Sequence, residues 1–474
     1  LHLRLALLVP RKDTRIVLCG DGDELVERAA KVLAAAGYTD LAYLKGGIDA
    51  WAKAGLELFS GVNVPSKAFG EHIEHACHTP NVGPEELDAL MKSGIDMVIV
   101  DSRPFDEFQR VSIPSATNVP GAELVLRIND IAPSPKTLVV VNCAGRTRSI
   151  VGAQSLINAG VPNKVVALRN GTMGYTLAGY APDSGKTKRY TDPSSAGLAW
   201  AKAAADRVAK RFGVMRIDQA ALDSFRADAS RTLYVFDVRD PTDYAAGHFP
   251  GAINAPGGQL VQASDQYAGT LGARIVLIDD REVRAVLTAS WLKQMGWRDV
   301  FVLPASGAET GRPAAPLLGA LPAAELGIDA ADVSALVAKS HATVVDLSLS
   351  PAYRKGHIPG AWFAIRTRLS EALAKIPMNG ELILTSEDGI LAGLAASEIR
   401  TAARYLRGGN AAWQAAGFPL STEARMADEP LDYWPKPYER PNNTTEAMNE
   451  YLSWEVDLLP RIERDGTTRF TTPP

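Results

Sequence analysis

Gly247-His248-Phe249-Pro250-Gly251-Ala252 recurs as Gly356-His357-Ile358-Pro359-Gly360-Ala361, and a weaker copy runs Val111-Ser112-Ile113-Pro114-Ser115-Ala116. Self-similarity over a long period sets the architecture before any single element is assigned. Each copy lies about ten residues beyond an apolar run that carries an aspartate. These runs are Val98-Ile99-Val100-Asp101-Ser102-Arg103, Val235-Phe236-Asp237-Val238-Arg239 and Val344-Val345-Asp346-Leu347-Ser348. Farther along each copy come a second apolar run, a turn and an alanine-rich helical pattern; the second runs are Leu138–Asn142, Ile275–Ile278 and Leu382–Leu384. Another such run, Ile16-Val17-Leu18, leads into Cys19. The stretch that follows it closes on Tyr43-Leu44-Lys45-Gly46-Gly47-Ile48-Asp49-Ala50-Trp51, and the last copy closes alike on Tyr405-Leu406-Arg407-Gly408-Gly409-Asn410-Ala411-Ala412-Trp413.

Short β-type runs without clear alternation, separated by amphipathic helical patterns, predict β-α-β units in a parallel sheet buried on both faces. A period of roughly 110–135 residues is a domain and not a solenoid unit. The predicted class is therefore α/β, as tandem copies that are each a doubly wound parallel sheet with helices on both faces. The first copy is predicted over 1–60, with only its C-terminal half present, and the second over 61–184. A linker follows at 185–196, then copies at 197–315 and 322–424, then a C-terminal strap and helix at 425–474. The basic run Lys186-Thr187-Lys188-Arg189 reads as a solvated segment of that linker. Thr444 to Ile462 has helical spacing and is expected to dock on the domains. The chain opens on Leu1, and its first copy lacks the aspartate-bearing strand, so a preceding segment, with any targeting signal, is expected.

Composition narrows the function classes. The 474 residues suit three or four domains, and a net charge of −4 supplies no global basic field for nucleic acid. Three widely spaced cysteines make no disulfide framework, which points to a reducing compartment and a cytoplasmic location. No apolar run approaches the ~18 residues of a membrane span, so no membrane partner is expected.

The chemistry concentrates in Asn142-Cys143-Ala144-Gly145-Arg146-Thr147-Arg148-Ser149. It sits between the apolar run Leu138–Asn142 and a helical pattern from Ile150 to Asn158. A cysteine is thereby placed on a turn that opens a helix. The first amides of a helix have no internal partner, and its N-terminus carries partial positive charge. Arg146 and Arg148 follow at three and five residues. Each feature favours thiolate, the nucleophilic form. The same turn can hold an anion on its backbone N–H groups.

These repeats resemble the rhodanese (thiosulfate sulfurtransferase) family over nearly all of residues 1–424. The resemblance rests on Asp-x-Arg after the first strand, the Gly-His-x-Pro-Gly-Ala turn, and the loop with cysteine at its head and Arg-Ser at the fifth and sixth following positions. It implies a sulfurtransferase that moves the sulfane sulfur of thiosulfate through a cysteine persulfide to cyanide or another thiophile, a sulfur-acceptor protein being a possible partner. No cofactor and no metal are expected.

Placing the four turns together selects one copy. Cys143 is the expected catalytic sulfur, with Arg148 at the sulfonate end of the substrate and Ala144, Gly145, Arg146, Thr147 and Ser149 completing the cradle. Arg146 is expected to face solvent, since alternate positions of a tight turn point outward. Asp101 is expected to support the loop, and Arg103 either to contact substrate or to pair with a carboxylate. In the first copy Cys19 precedes Gly20-Asp21-Gly22-Asp23-Glu24, whose acidic groups oppose both a thiolate and a dianion. The third copy puts Asp279 at the cysteine position with Arg284 after it, and the fourth puts Thr385 or Ser386 there. Two rival functions remain: phosphatase or arsenate-reductase chemistry, which uses five residues between cysteine and arginine where this chain has four, and a non-catalytic scaffold that binds a partner protein. His72, His75, Cys77 and His78 share a helical stretch, but Cys77 is off the face of His75 and His78, so a packed connecting helix is the expectation there.

Overall fold

The computed structural model describes residues 1–471 except Gly22, Arg400 and Pro441; the Gly22 position of the first-copy turn therefore lies outside the described residues. The chain forms two compact bodies, one from Leu1–Leu318 together with the segment from Arg440 onward, the other Gly319–Glu439.

Among the described residues every pairing between named strands is parallel, and three copies share one topology. In the second copy the strand order is Asn81–Val82, Val165–Leu168, Leu138–Asn142, Met97–Asp101, Thr117–Asn118. The third copy repeats it as Met215–Arg216, Val300–Leu303, Arg274–Ile278, Leu233–Asp237, Ile253–Asn254. The fourth repeats it from Gly327–Ile328 to Trp362–Phe363 and adds Arg425–Met426 at the edge. The first copy has only Ile16–Leu18 paired with Leu41–Tyr43, the two strands that flank the helix after the loop.

Continuous apolar strands follow from burial on both faces. In the second copy Val139 and Val141 pack toward helices Leu124–Ile131 and Thr147–Ala159. Leu138 and Val140 pack on the opposite face with Leu87, Phe108 and Tyr175. The first of these cores runs on into the third copy, where Trp291 Nε1 donates to Ser155 Oγ at 2.8 Å and Arg284 Nη1 to Glu123 Oε1 at 2.8 Å. The segment expected as a linker, 185–196, and the residues just before it are packed against the domains. Asp183 bridges to Ser112, Arg189 lies beside Asn118 and pairs with Asp240 at 2.9 Å, and Ser194 caps the helix Ser195–Phe212. The C-terminal helix spans Thr444–Asp465 and lies along helix Val64–Cys77 in the first body, burying Met448, Leu452, Leu458 and Ile462.

The recurrent turn is a structural device. His248 and His357 are fully buried, stack on Tyr244 and Tyr353 at 4.0 and 3.9 Å, and bond the carbonyls of those tyrosines through Nδ1. Gly251 and Gly360 supply left-handed backbone at φ 73° and 78°. The second copy keeps the same turn with Ser115 at φ 65°. A side chain in that region costs about 1–2 kcal/mol. Ser115→Gly is therefore expected to raise stability by up to about 1 kcal/mol, less than the full strain because glycine loosens the unfolded chain; the urea midpoint reads it.

Candidate active site

Cys143 is the first residue after strand Leu138–Asn142, four residues before helix Thr147–Ala159 begins. The carbonyls of Cys143 and Ala144 accept from the amides of Thr172 and Met173 at 2.8 and 2.9 Å. They are thus turned outward, and the amides of Ala144, Gly145, Arg146, Thr147 and Ser149 have no acceptor among the described residues. Orphan amides at a helix start are an anion site. The cysteine is only 2 % exposed, yet it belongs to none of the apolar clusters. Its Sγ donates to Ser149 Oγ at 3.5 Å, and that hydroxyl donates to the Arg146 carbonyl at 2.8 Å.

The loop is held from two sides. Asp101 Oδ2 accepts from Asn142 Nδ2 at 2.8 Å, and its carboxylate receives Arg103 through Nε and Nη2 at 2.8 and 2.7 Å. Arg103 is fully buried in this pair and also donates to the Val111 carbonyl. Of the two roles expected for it, the pairing with a carboxylate is present, while its Nη1 has no hydrogen-bond partner among the described residues. On the other side Gly171 has φ 55°, and a Cβ there would stand 2.3 Å from the Cys143 carbonyl oxygen and 2.8 Å from that of Gly145. Both obstacles are backbone. Gly171→Ala is expected to cost about 2–3 kcal/mol and to displace the Cys143 loop, because a backbone clash and a left-handed φ add; thermal unfolding checks it. Gly47 and Gly409 meet Gly20 and Ser386 in the same way. The glycine pairs that close the first and last copies were the sequence signal for this contact.

The two arginines stand differently from expectation. Arg146 does not face solvent: its side chain is 11 % exposed and is engaged by Glu71 at 2.7 Å and by Glu74. Burial alone would depress its guanidinium, and Glu71 with Glu74 hold it up. Burial likewise pushes the Glu71 carboxyl up, with Arg146 opposing. Arg148 is paired with Glu107 at 2.8 Å and donates to Gln259 Oε1 at 3.2 Å. The positive field read from the loop is thus largely met by carboxylates from other elements.

Three residues complete the surroundings without any mark in the sequence. Glu455 of the C-terminal helix is fully buried; its Oε1 receives Lys67 Nζ at 2.7 Å, Thr147 Oγ1 at 3.2 Å and Tyr451 Oη at 3.2 Å. Burial alone would lower the Lys67 ammonium, but Glu455 and Tyr451 outweigh it and hold it raised. Burial raises the Tyr451 phenol, with Glu455 adding and Lys67 opposing. Over the centre of the loop, a Cβ on Gly145 would lie 2.9 Å from Met173 Cε and 3.0 Å from Glu455 Oε2.

The other copies lack this arrangement. Cys19 is exposed. Asp279 accepts from the amides of Arg281, Arg284 and Ala285 and from the Arg284 side chain, so it closes its own turn. Ser386, the residue after strand Glu381–Thr385, accepts from the Ala392 amide. The stretch with His72, His75 and Cys77 is helix Val64–Cys77, and His72 packs between Phe69 and Phe470. Among the described residues no group of three or more His, Cys, Asp or Glu side chains is placed to hold a metal ion.

The rhodanese-like domain family matches residues 2–54, 83–178, 219–306 and 329–416. The crystal structure of thiosulfate sulfurtransferase from Pseudomonas aeruginosa is similar over 100 % of this chain and 91 % of its own, at 44 % identity and TM-score 0.95. A rhodanese-related protein from Thermoplasma volcanium aligns over 20 % of this chain and 98 % of its own, at 20 % identity and TM-score 0.19. No curated protein sequence matches the chain.

Proposed function

Because the chain belongs to the rhodanese family, we propose that it is a sulfurtransferase in which Cys143 takes the outer sulfur of thiosulfate and passes it to a thiophile. The observation that carries this reading is Cys143 at the head of a loop whose amides lack acceptors among the described residues. The 44 % identical thiosulfate sulfurtransferase from Pseudomonas aeruginosa supports thiosulfate as the donor.

The cycle is a double displacement. The Cys143 thiolate attacks the outer sulfur of thiosulfate; the S–S bond breaks, sulfite leaves with the electron pair, and a persulfide remains. The loop amides hold the negative charge of the outer sulfur, and Arg148, five residues beyond Cys143, is assigned to the departing sulfite. Cyanide or a thiolate then attacks the outer sulfur, and the pair of the broken bond returns to Cys143 Sγ. No step asks for a cofactor.

Four residues between Cys143 and Arg148 make a shorter ring than a phosphatase loop requires, which favours one sulfur over a phosphoryl group. Asp279 and Ser386 at the matched positions suit the third and fourth copies to structural or recruiting roles. No helix among the described residues is long and apolar enough to cross a membrane. The three free cysteines support our cytoplasmic assignment.

Mass spectrometry of the intact protein after incubation with thiosulfate tests the proposal. A gain of one sulfur atom, lost in Cys143→Ala and kept in Cys19→Ala, is expected. Hydrolysis of an aryl phosphate without sulfur gain would replace this reading with the phosphatase one.

A further inference from the structure

Glu455 has one oxygen engaged and one idle. Three donors fix Oε1, while Oε2 is buried and has no hydrogen-bond partner among the described residues. That idle oxygen stands over Gly145, in the middle of the loop that opens at Cys143. A buried acceptor without a donor is costly, and a group that brings a donor to it relieves the cost.

The charges around the loop point the same way. Among the described residues Lys67, Arg103, Arg146 and Arg148 are cations here; Asp101, Glu71, Glu74, Glu107 and Glu455 are the carboxylates set against them. Carboxylates outnumber cations before the sulfur itself is charged. A persulfide on Cys143 adds one more negative charge. The cleft that reaches Arg146 along the C-terminal helix is also acidic, with Glu71, Glu74, Asp457 and Glu463 on its walls. A loaded site of this kind repels a second anion and attracts a cation.

We propose that Glu455 Oε2 is the recognition point for an ammonium group on the sulfur acceptor, so that the physiological thiophile is an amino-bearing thiol. The proposal rests on the persulfide reading above and specifies its second half. The acceptor's ammonium donates to Glu455 Oε2. Its thiolate attacks the outer sulfur of the Cys143 persulfide; a new S–S bond forms, the old one breaks, and its electron pair restores the Cys143 thiolate. The acceptor leaves as a persulfide, with no oxidant or reductant consumed. Glu455 is a specificity-determining residue in this scheme, since cyanide has no group to place on it.

The test uses the full chain loaded with thiosulfate and freed of excess donor. Loss of the persulfide is followed with cysteamine, 2-mercaptoethanol and 3-mercaptopropionate, each rate divided by its thiolate concentration. Cysteamine is expected to exceed the neutral thiol by about tenfold or more, and the carboxylate thiol to be slower than the neutral one. In Glu455→Gln the cysteamine advantage is expected to fall to about threefold or less. A wild-type enzyme without that order overturns the proposal, and needs no variant to fold; a Glu455→Gln enzyme that keeps a cysteamine advantage of about tenfold overturns it too. Failure to gain sulfur from thiosulfate would sink the persulfide reading itself, and the mass of the loaded protein tells the two failures apart.

Discussion

Cys143→Ser is expected to lower thiosulfate:cyanide turnover by at least about 10³-fold, the scale seen when a nucleophile is removed from its unit. A serine hydroxyl keeps the volume and the bond to Ser149 but cannot supply a soft sulfur nucleophile. The orphan amides remain, so thiosulfate binding is expected to survive where turnover does not. Cys19→Ser should leave turnover within about twofold, as an exposed side chain away from the site. Steady-state kinetics of both variants, with equilibrium binding of thiosulfate to Cys143→Ser, check the pair. Comparable losses in both would contradict the assignment of one working copy.

Lys67→Met is expected to destabilise the protein by about 3–5 kcal/mol, because it leaves the fully buried Glu455 carboxylate without its ion partner. Lys67→Met combined with Glu455→Leu is expected to regain most of that loss, since two apolar side chains of similar volume replace a pair that is expensive to desolvate. Denaturant midpoints of the two singles and the double form the cycle. The Lys67 ammonium is held above its ordinary value, so its contribution is fully present below about pH 10.4 and is lost only as pH rises through the higher folded-state value. The deficit of Lys67→Met should accordingly be flat through neutral pH. A deficit that vanished there would show that the pair is not charged.

Much of the fold can be read from one chain. The run Leu138–Asn142 is a strand, and the helical pattern expected from Ile150 to Asn158 is helix Thr147–Ala159, begun earlier because its first turn has no internal pattern to show. The amphipathic pattern from Thr444 to Ile462 is helix Thr444–Asp465. These elements follow from local spacing. The Gly-His-x-Pro-Gly-Ala turn was equally visible, since it recurs in the third and fourth copies and more weakly in the second.

The electrostatic state of the site was not legible. Thr147 meets Glu455 across 308 residues, Arg146 meets Glu71 across 75 and Arg148 meets Glu107 across 41. No spacing rule links such positions. Two arginines read as a positive field became two ion pairs. Of the Lys186–Arg189 run, read as solvated, Lys186, Thr187 and Lys188 are exposed, while Arg189 is half-buried and paired to Asp240.

Sequence alone determined the α/β class, the number of copies and the copy that retains both a thiol and an arginine, because strand, helix and turn preferences are local and recur with the repeat. Tertiary structure alone decided what surrounds that thiol: which carboxylates meet the arginines, and that a helix more than 300 residues away places Glu455 over the loop. Charge interactions depend on distance through space and on burial, and neither is written in the order of the residues.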